Sequence, residues 1–325
     1  MARFTLLFGN VSINDFLARN DIYLKSLTRK YKLEKLIGSG TFGDVFIADI
    51  NGEKLALKIA PPYDEIRNEI VVNEKLKRVC GGYVTCYIES FEYNHPIAGK
   101  FLVIVQELMD GDLLTYNFKV KDLSQLLLDL LIAVDCLHQH NIAHMDIKPE
   151  NILLKKSPFL VKLADLGLIC DKENIIDACV VRGTYLPPNV IDNISLYQKT
   201  LPFDQARNID LWGLGVSIII NLTLLGYYDP VIVGKLATGT YAGVVTKRYI
   251  PMPIMSTKMS RKANTGFIPQ NIVEEILQVL LSYNTKRTAH GILINLIRKL
   301  KLAPPGEEEI LLERWKRENT CFEQV

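Results

Sequence analysis

Three glycines at fixed spacing, Gly38-Ser39-Gly40-Thr41-Phe42-Gly43 followed by Asp44-Val45, are the first feature that could do chemistry. A loop without bulky side chains lets backbone N–H groups approach phosphate oxygens. The same spacing binds dinucleotides when it lies between a strand and a helix. Here strand-like residues follow it, which suits a β-hairpin over phosphates, although the motif alone is weak. Lys58 comes next, flanked by Leu55-Ala56-Leu57, unusual company for a solvated charge. The densest cluster lies further on: His144-Met145-Asp146-Ile147-Lys148-Pro149-Glu150-Asn151, then Lys162-Leu163-Ala164-Asp165-Leu166-Gly167. Phosphoryl transfer from a nucleotide needs charge neutralised on the phosphates and an aligned hydroxyl, with little covalent work. These residue types could meet that need.

The elements that must position them change character along the chain. Residues 31–37 and 44–48 read as strands, and Asn51-Gly52 is a hairpin turn before an alternating stretch at 54–59. A helix is expected over 65–79 and a buried strand over 101–107. Met109-Asp110-Gly111-Asp112 interrupts the pattern. Helical periodicity then dominates, over 123–138, 209–225, 272–281 and 289–300. A β-rich front and an α-rich back predict an α+β chain of two lobes meeting near residue 110, with residues 1–30 as an extension and 303–325 as a tail helix. Hydrophobic residues make up 48% and charged residues 23%, the balance of a folded globular protein. The apolar run at 216–228 is interrupted and too short for a bilayer, so a core helix is expected. Six cysteines without a CxxC pair predict reduced, buried thiols rather than a disulfide scaffold or zinc ribbon.

Taken together and in order, these motifs resemble the eukaryotic-type protein kinase superfamily, in its Ser/Thr branch: Gly loop, strand Lys, helix Glu, a loop like HRDxKxxN and a metal motif like DFG. Asp210-Leu-Trp212-Gly213-Leu-Gly215 resembles that family's central buried helix, and Arg287 the late Arg that braces its activation segment. The resemblance covers about residues 31–300. It implies a bilobal fold, with a small antiparallel-β N-lobe over 31–108 and a mainly helical C-lobe over 109–302. It implies ATP and Mg²⁺ as cofactors and a protein substrate. Ile37, Gly38, Ser39, Gly40, Thr41, Phe42, Gly43, Val45, Ala56 and Leu153 would then enclose the nucleotide. Lys58 would hold the α/β-phosphates, oriented by Glu69, with Glu74 and Glu65 open as alternatives. Gln106 would be the gatekeeper, Glu107 and Met109 the adenine contacts, and Asp112 the ribose contact. Asp165 and Asn151 would bind metal, Asp146 would take the hydroxyl proton, and Lys148 would steady the γ-phosphate. With all four of Lys58, Asp146, Asn151 and Asp165 present, a pseudokinase is the weaker alternative; a small-molecule kinase is a second.

Four departures stand out. Met145 replaces the family's Arg that reads a phosphate on the activation segment. Leu166 replaces Phe in the metal motif. Asn189 replaces the closing Glu, leaving at best a neutral bond to Arg287. Asn73 sits where an apolar spine residue is usual. These are changes of the kind found in divergent kinases, including those of large DNA viruses. They predict activity without activation-segment phosphorylation, with Thr184 as a hydrogen-bonding residue near Asp146 and Lys148. Net charge is only +2, so nucleic acid is not the expected partner. Residues 230–273, however, hold no acid and six bases: Lys235, Lys247, Arg248, Lys258, Arg261 and Lys262. That stretch is either a solvated face or, over 235–262, a docking patch for an acidic partner. No membrane segment is expected, and the expected location is cytoplasmic or nuclear, in a host cell if the chain is viral.

Overall fold

The computed structural model describes residues 31–40, 43–80, 82–95, 99–173, 179–181, 183–193, 201–229, 240–241, 244–245, 258–282 and 286–318. The described residues fall into two compact units. Those up to Lys77, with Thr85–Met109, form the first; Arg78–Val84 and those from Asp110 onward form the second. Antiparallel β in the first and helices in the second match the β-rich front and α-rich back read from the sequence.

In the first unit, β1 (Lys32–Gly40), β2 (Gly43–Ile50), β3 (Glu53–Ala60), β4 (Tyr87–His95) and β5 (Gly99–Glu107) form an antiparallel sheet in the order β1-β2-β3-β5-β4. The β2–β3 turn uses left-handed Asn51 (φ 53°) and Gly52 (φ 93°), as an Asn-Gly hairpin requires. Period-two alternation sorts the sheet's faces. Leu55, Leu57 and Ile59 join Phe46, Phe101, Val103 and Val105 in one apolar cluster. Ala60, Leu102 and Ile104 join Ile66 of α1 (Asp64–Leu76) and Tyr87 in another. Each fully buried aliphatic side chain contributes roughly 1.5–3 kcal/mol. Strand β4 was not expected from the sequence, because only part of it is buried and its Glu89, Glu92 and Asn94 break the apolar pattern.

The second unit is built on two helices that are buried on nearly every side, α2 (Leu123–Gln139) and α4 (Phe203–Leu224). A helix buried on every side belongs to a core. No described helix is long and apolar enough to cross a membrane. Short strands frame the loops that follow α2: β6 (Gly111–Asp112), β8 (Ile152–Lys156) and β9 (Phe159–Leu163) pair in one sheet, β7 (Ile142–Ala143) and β10 (Cys170–Asp171) in another. Beyond α3 (Pro188–Asp192) and α4 come a two-residue ladder, β11 (Thr240–Tyr241) with β12 (Val244–Val245), and the helices α5 (Gln270–Leu280), α6 (Ala289–Leu300) and α7 (Glu308–Glu318). Helix α6 starts on the Thr288 hydroxyl, which accepts the Gly291 N–H. In α7, Leu312 is buried and Ile310 is exposed. Polar contacts also hold the helix. Lys316 meets Asp135 and Gln139 of α2 at 2.9 Å, and the Tyr83 hydroxyl donates to the Trp315 carbonyl.

The cysteines depart from the sequence expectation. Cys80–Cys136 and Cys170–Cys179 are joined as disulfides, and no described cysteine is free. Their Cα separations, 5.9 and 5.0 Å, lie in the range a disulfide spans. Pairing depends on tertiary proximity across 56 and 9 positions, which spacing in the sequence does not reveal.

Asp129, buried on α2, accepts a 2.7 Å bond from Gln125 and a backbone bond from Val161 of β9. Burial pushes its carboxyl up to about 7 against these two opposing bonds. A folded-state pKa above the unfolded one favours folding while the group is protonated. That contribution is full below about pH 4 and is lost as pH rises through about 7. Asp129→Asn should therefore gain stability relative to wild type at about pH 8, by an amount on the order of 1–4 kcal/mol, and show little gain at about pH 4. Urea unfolding at the two pH values checks this; equal differences at both would contradict the assignment.

Candidate active site

The first unit contributes a buried ion pair. Lys58 on β3 stands opposite Ile104 of β5, on the face that α1 covers. Burial along α1 follows Ile66, Glu69, Val72, Asn73 and Leu76, a helical stripe that aims Glu69 at the sheet. The Lys58 ammonium and the Glu69 carboxylate meet at 2.7 Å, and Glu69 is 1% exposed. Of the three carboxylates left open by the sequence, the structure brings Glu69 to Lys58. Asn73 is buried, but its amide donates to the Glu69 carbonyl at 2.9 Å, so no polar group is stranded where an apolar residue is usual.

The glycine motif divides in two. A Cβ on Gly43, which has φ 148°, would lie 2.7 Å from the Ile59 carbonyl oxygen, so this glycine answers to the approach of β3. Gly38 and Gly40 would meet only ordinary contacts. Their lack of a side chain leaves the backbone open. Ser39 bonds the Asp44 carboxyl, which burial raises and that bond lowers, with a net upward shift. Thr41 and Phe42 lie outside the described residues. Ile37 is exposed, Val45 pairs with Gly38 and Lys58, and Ala56 pairs with Gln106. Gln106 is half-buried rather than enclosed, which lowers the demand on its amide. Glu107 is tied to Cys86 both ways: its N–H donates to the Cys86 carbonyl at 3.0 Å, and its carboxylate accepts the Cys86 N–H at 2.7 Å. Met109 is buried at the end of this unit.

In the second unit, Asp112 pairs with Leu153 across β6 and β8. One of its oxygens accepts from Leu114 N, Thr115 N and Thr115 Oγ1 at 2.8–2.9 Å, which fixes the carboxylate against its own turn. The catalytic candidates hang from one buried carboxylate. Asp210 on α4 is fully buried and accepts from His144 N (2.8 Å), Met145 N (2.7 Å) and His138 Nε2 (2.9 Å). Met145 takes the left-handed conformation (φ 69°), and the turn presents Asp146. The His144 ring donates from Nε2 to the Ala164 carbonyl at 3.0 Å and accepts the Asp146 N–H on Nδ1. Asp146 Oδ2 receives Lys148 at 2.7 Å and the Asn151 amide at 3.4 Å. Asp146 Oδ1 receives Thr184 N at 2.9 Å and Thr184 Oγ1 at 2.8 Å.

Asn151 also donates to the Asp146 carbonyl at 2.9 Å, which orients the amide and leaves Oδ1 as its oxygen donor. The Ala164 N–H donates to the Asn151 carbonyl, linking this loop to Asp165, itself left-handed at φ 63°. A carboxylate and an amide oxygen are hard donors, fit for Mg²⁺. Tyr185 is pushed up to about 12 by burial and by Glu150 and Asp146, so its hydroxyl stays protonated.

Sequence reasoning missed Gly183. At φ 102° it packs so close that a Cβ would collide with the Met145 carbonyl oxygen. A glycine one residue before Thr184 was the available signal. Asn189 uses its amide elsewhere than on Arg287. Asn189 bonds Gln205 and Asn208, while Arg287 reaches the carbonyl and hydroxyl of Ser282. In the basic stretch, Arg261 is committed to the fold. It donates to the Leu225 carbonyl that ends α4 and lies 4.3 Å from the Tyr227 ring centroid. Lys258 and Lys262 are exposed, and Lys235, Lys247 and Arg248 lie outside the described residues.

This arrangement is that of a protein kinase domain, and the chain belongs to that family: its family model, described as "Protein kinase domain", matches residues 31–286. The chain is similar to the calcium/calmodulin-dependent protein kinase cmkA of Emericella nidulans, 30% identical over 213 residues, 62% of this chain and 48% of that protein. It is similar to sucrose non-fermenting protein kinase 1 of Fusarium virguliforme, 29% identical over 65% of this chain and 31% of that protein. It is similar also to the phosphorylase b kinase gamma catalytic chain, liver/testis isoform, of Rattus norvegicus, 30% identical over 63% and 53%. The chain spans about half the length of the curated relatives it matches, or less.

Asp210→Ala would strand two buried backbone N–H groups, each costing about 1–3 kcal/mol. A stability loss of roughly 2–5 kcal/mol is expected by chemical denaturation. A loss under about 1 kcal/mol would mean that the loop does not depend on this carboxylate.

Proposed function

We propose that the chain is an ATP- and Mg²⁺-dependent serine/threonine protein kinase. The observation that carries this reading is the Asp146 carboxylate, held on one oxygen by Thr184 and on the other by Lys148 and Asn151. A carboxylate fixed at four points can accept a hydroxyl proton without reorganising. When bound, Mg²⁺-ATP supplies the γ-phosphoryl group and the charge that neutralises its oxygens. Asp165 and the Asn151 Oδ1 would hold the metal. The open backbone at Gly38 and Gly40 would take the phosphates, and Lys58, set by Glu69, would pair with them. Lys148 would pass from Asp146 to the phosphoryl oxygens as charge shifts. A protein substrate is supported by the kinases among the relatives and by the Tyr185-Leu186-Pro187-Pro188 turn beside Thr184.

The test is phosphoamino-acid analysis of a mixed protein substrate labelled from ATP with Mg²⁺. Phosphoserine or phosphothreonine is expected; dominant phosphotyrosine, or label on a small amine or alcohol, would reject the reading. Asp146→Asn should cut kcat by about 100-fold or more with ATP affinity kept. Asp165→Asn should abolish turnover while the fold persists. Either variant retaining a tenth of wild-type turnover, a cost of only ~1.4 kcal/mol, would remove the role assigned to that residue.

We further propose that activity does not require a phosphorylated activation segment. In place of the Arg, Met145 is buried among Ala143, Cys170, Leu186, Val190, Ile191, Leu201, Ala206 and Ile209. Thr184 is already bonded to Asp146 through both N–H and hydroxyl. Protein made in bacteria, treated with phosphatase and shown bare by mass spectrometry should turn over substrate. Silence until Thr184 or Tyr185 is phosphorylated would sink this proposal.

A further inference from the structure

We propose that Cys170 and Cys179 form a thiol–disulfide site that sets how firmly Thr184 is held on Asp146, and through it the activity. The effect on activity rests on the kinase reading above; the effect on order does not. Three observations carry it. First, the pair sits at both ends of the segment's middle. Cys170, five residues after Asp165, pairs with Ala143 in the β10–β7 ladder. Cys179 lies five residues before Thr184, and its carbonyl accepts the Leu201 N–H at 2.6 Å. Second, their Cα atoms are 5.0 Å apart across nine positions, so closing the bond fixes one limb of the segment to the other.

Third, the surroundings of the pair are apolar. The buried cluster around Met145 contains Cys170, and Cys179 and Val181 pack against it. Such a cluster is apolar and non-directional, so it resists displacement but does not fix register. A phosphate bound to an arginine would fix it, and Met145 cannot bind one. A covalent bond at Cys170–Cys179 supplies such a constraint by tying Cys179, which leads toward Gly183 and Thr184, to the β10–β7 ladder. With the segment held, Gly183 stays against the Met145 carbonyl and Thr184 keeps both bonds to Asp146.

The exchange is balanced with a small-molecule disulfide as oxidant. Cys170 is buried and Cys179 is partly exposed, so Cys179 is the entry point. Its thiolate attacks one sulfur of the disulfide, and one small thiol leaves as a mixed disulfide forms. The Cys170 thiolate then attacks the Cys179 sulfur and the second small thiol leaves. Two protein thiols lose two electrons and two protons, and one disulfide becomes two thiols. Reduction reverses both steps.

The experiment uses the purified full chain equilibrated in glutathione buffers from fully reduced to fully oxidised. Peptide mapping by mass spectrometry without reductant follows the Cys170–Cys179 link. Hydrogen exchange at the Thr184 amide follows order, because that N–H donates to Asp146. As the link forms, exchange at Thr184 should slow and kcat/KM on a protein substrate should rise at least about threefold. Cys179→Ser should hold the exchange rate and activity at the reduced level in every buffer. Cys170→Val, which keeps the buried site apolar, should do the same. Cys80→Ser removes only the Cys80–Cys136 pair and should respond like wild type. No link at any buffer ratio, or a link that leaves Thr184 exchange unchanged, would overturn the proposal. If the link and the exchange respond but neither form labels protein, the kinase reading fails and the segment switch stands.

Discussion

One buried carboxylate holds the second unit's chemistry in place. Asp210 has no exposure, and removing a carboxylate from water is expensive unless its oxygens are satisfied. Here the donors are two successive backbone N–H groups, His144 and Met145, and a ring nitrogen of His138. Taking both N–H groups stabilises a turn that Met145, at φ 69°, would otherwise resist. The anchor and the wall are one element: Gly213, one helical turn after Asp210, approaches so closely that a Cβ would lie 2.6 Å from the Ile147 carbonyl. Helix α4 thus fixes the loop on both sides of Asp146. Lys148, Asn151 and Thr184 then arrange themselves on a carboxylate whose direction is already set.

The first unit solves a different problem with the same physics. A buried Lys–Glu pair adds little net stability, because desolvating two charges offsets most of their attraction. Its value lies in holding an ammonium at one place on β3. The stripe on α1 does this by spacing: Ile66, Val72 and Leu76 dock the helix, and Glu69 has nowhere else to point. Asn73 accommodates itself by bonding backwards to the Glu69 carbonyl, which converts an apparent defect into a local brace.

Much of this was legible in the sequence, and the reasons it was or was not are physical. Motifs whose members lie within a few residues of one another survive as patterns: the glycine loop, the Asp146–Asn151 loop, the Asn51-Gly52 hairpin. Strong amphipathic periodicity gave the α6 boundaries, and the run at 216–228 fell within or just beyond α4. Glu69 could be ranked above Glu74 and Glu65 from helical phase, but only the position of β3 separates them. Strand β4 was hidden because its exposed side carries acids and Asn. The cysteine pairs and the bonds of Asn189 to Gln205 and Asn208 depend on residues that tertiary structure brings together, and no local spacing encodes them. Arg261 shows the converse error. Counted as surface charge, it is used as a cap and a ring partner, so formal charge in a stretch overstates what is free to bind.

In the regulation proposed above, Met145 in place of an arginine changes the kind of control the segment can have. An Arg–phosphate contact is directional, reversible by a phosphatase and weakened by salt. An apolar cluster has none of these properties; its strength follows buried area and is indifferent to phosphorylation. Within the cluster, Met145 touches the same packed group that holds Leu186, Val190 and Ile191, so the start of α3 and the catalytic turn share one core. In that proposed regulation, this packing keeps the segment beside the catalytic turn, with Thr184 bonded to Asp146 through both N–H and hydroxyl. The members of that core with reversible chemistry of their own are sulfur atoms. If such a segment is controlled from outside, the handle consistent with its packing is oxidation state, because a thiol and a disulfide both fit an apolar site whereas a phosphate does not.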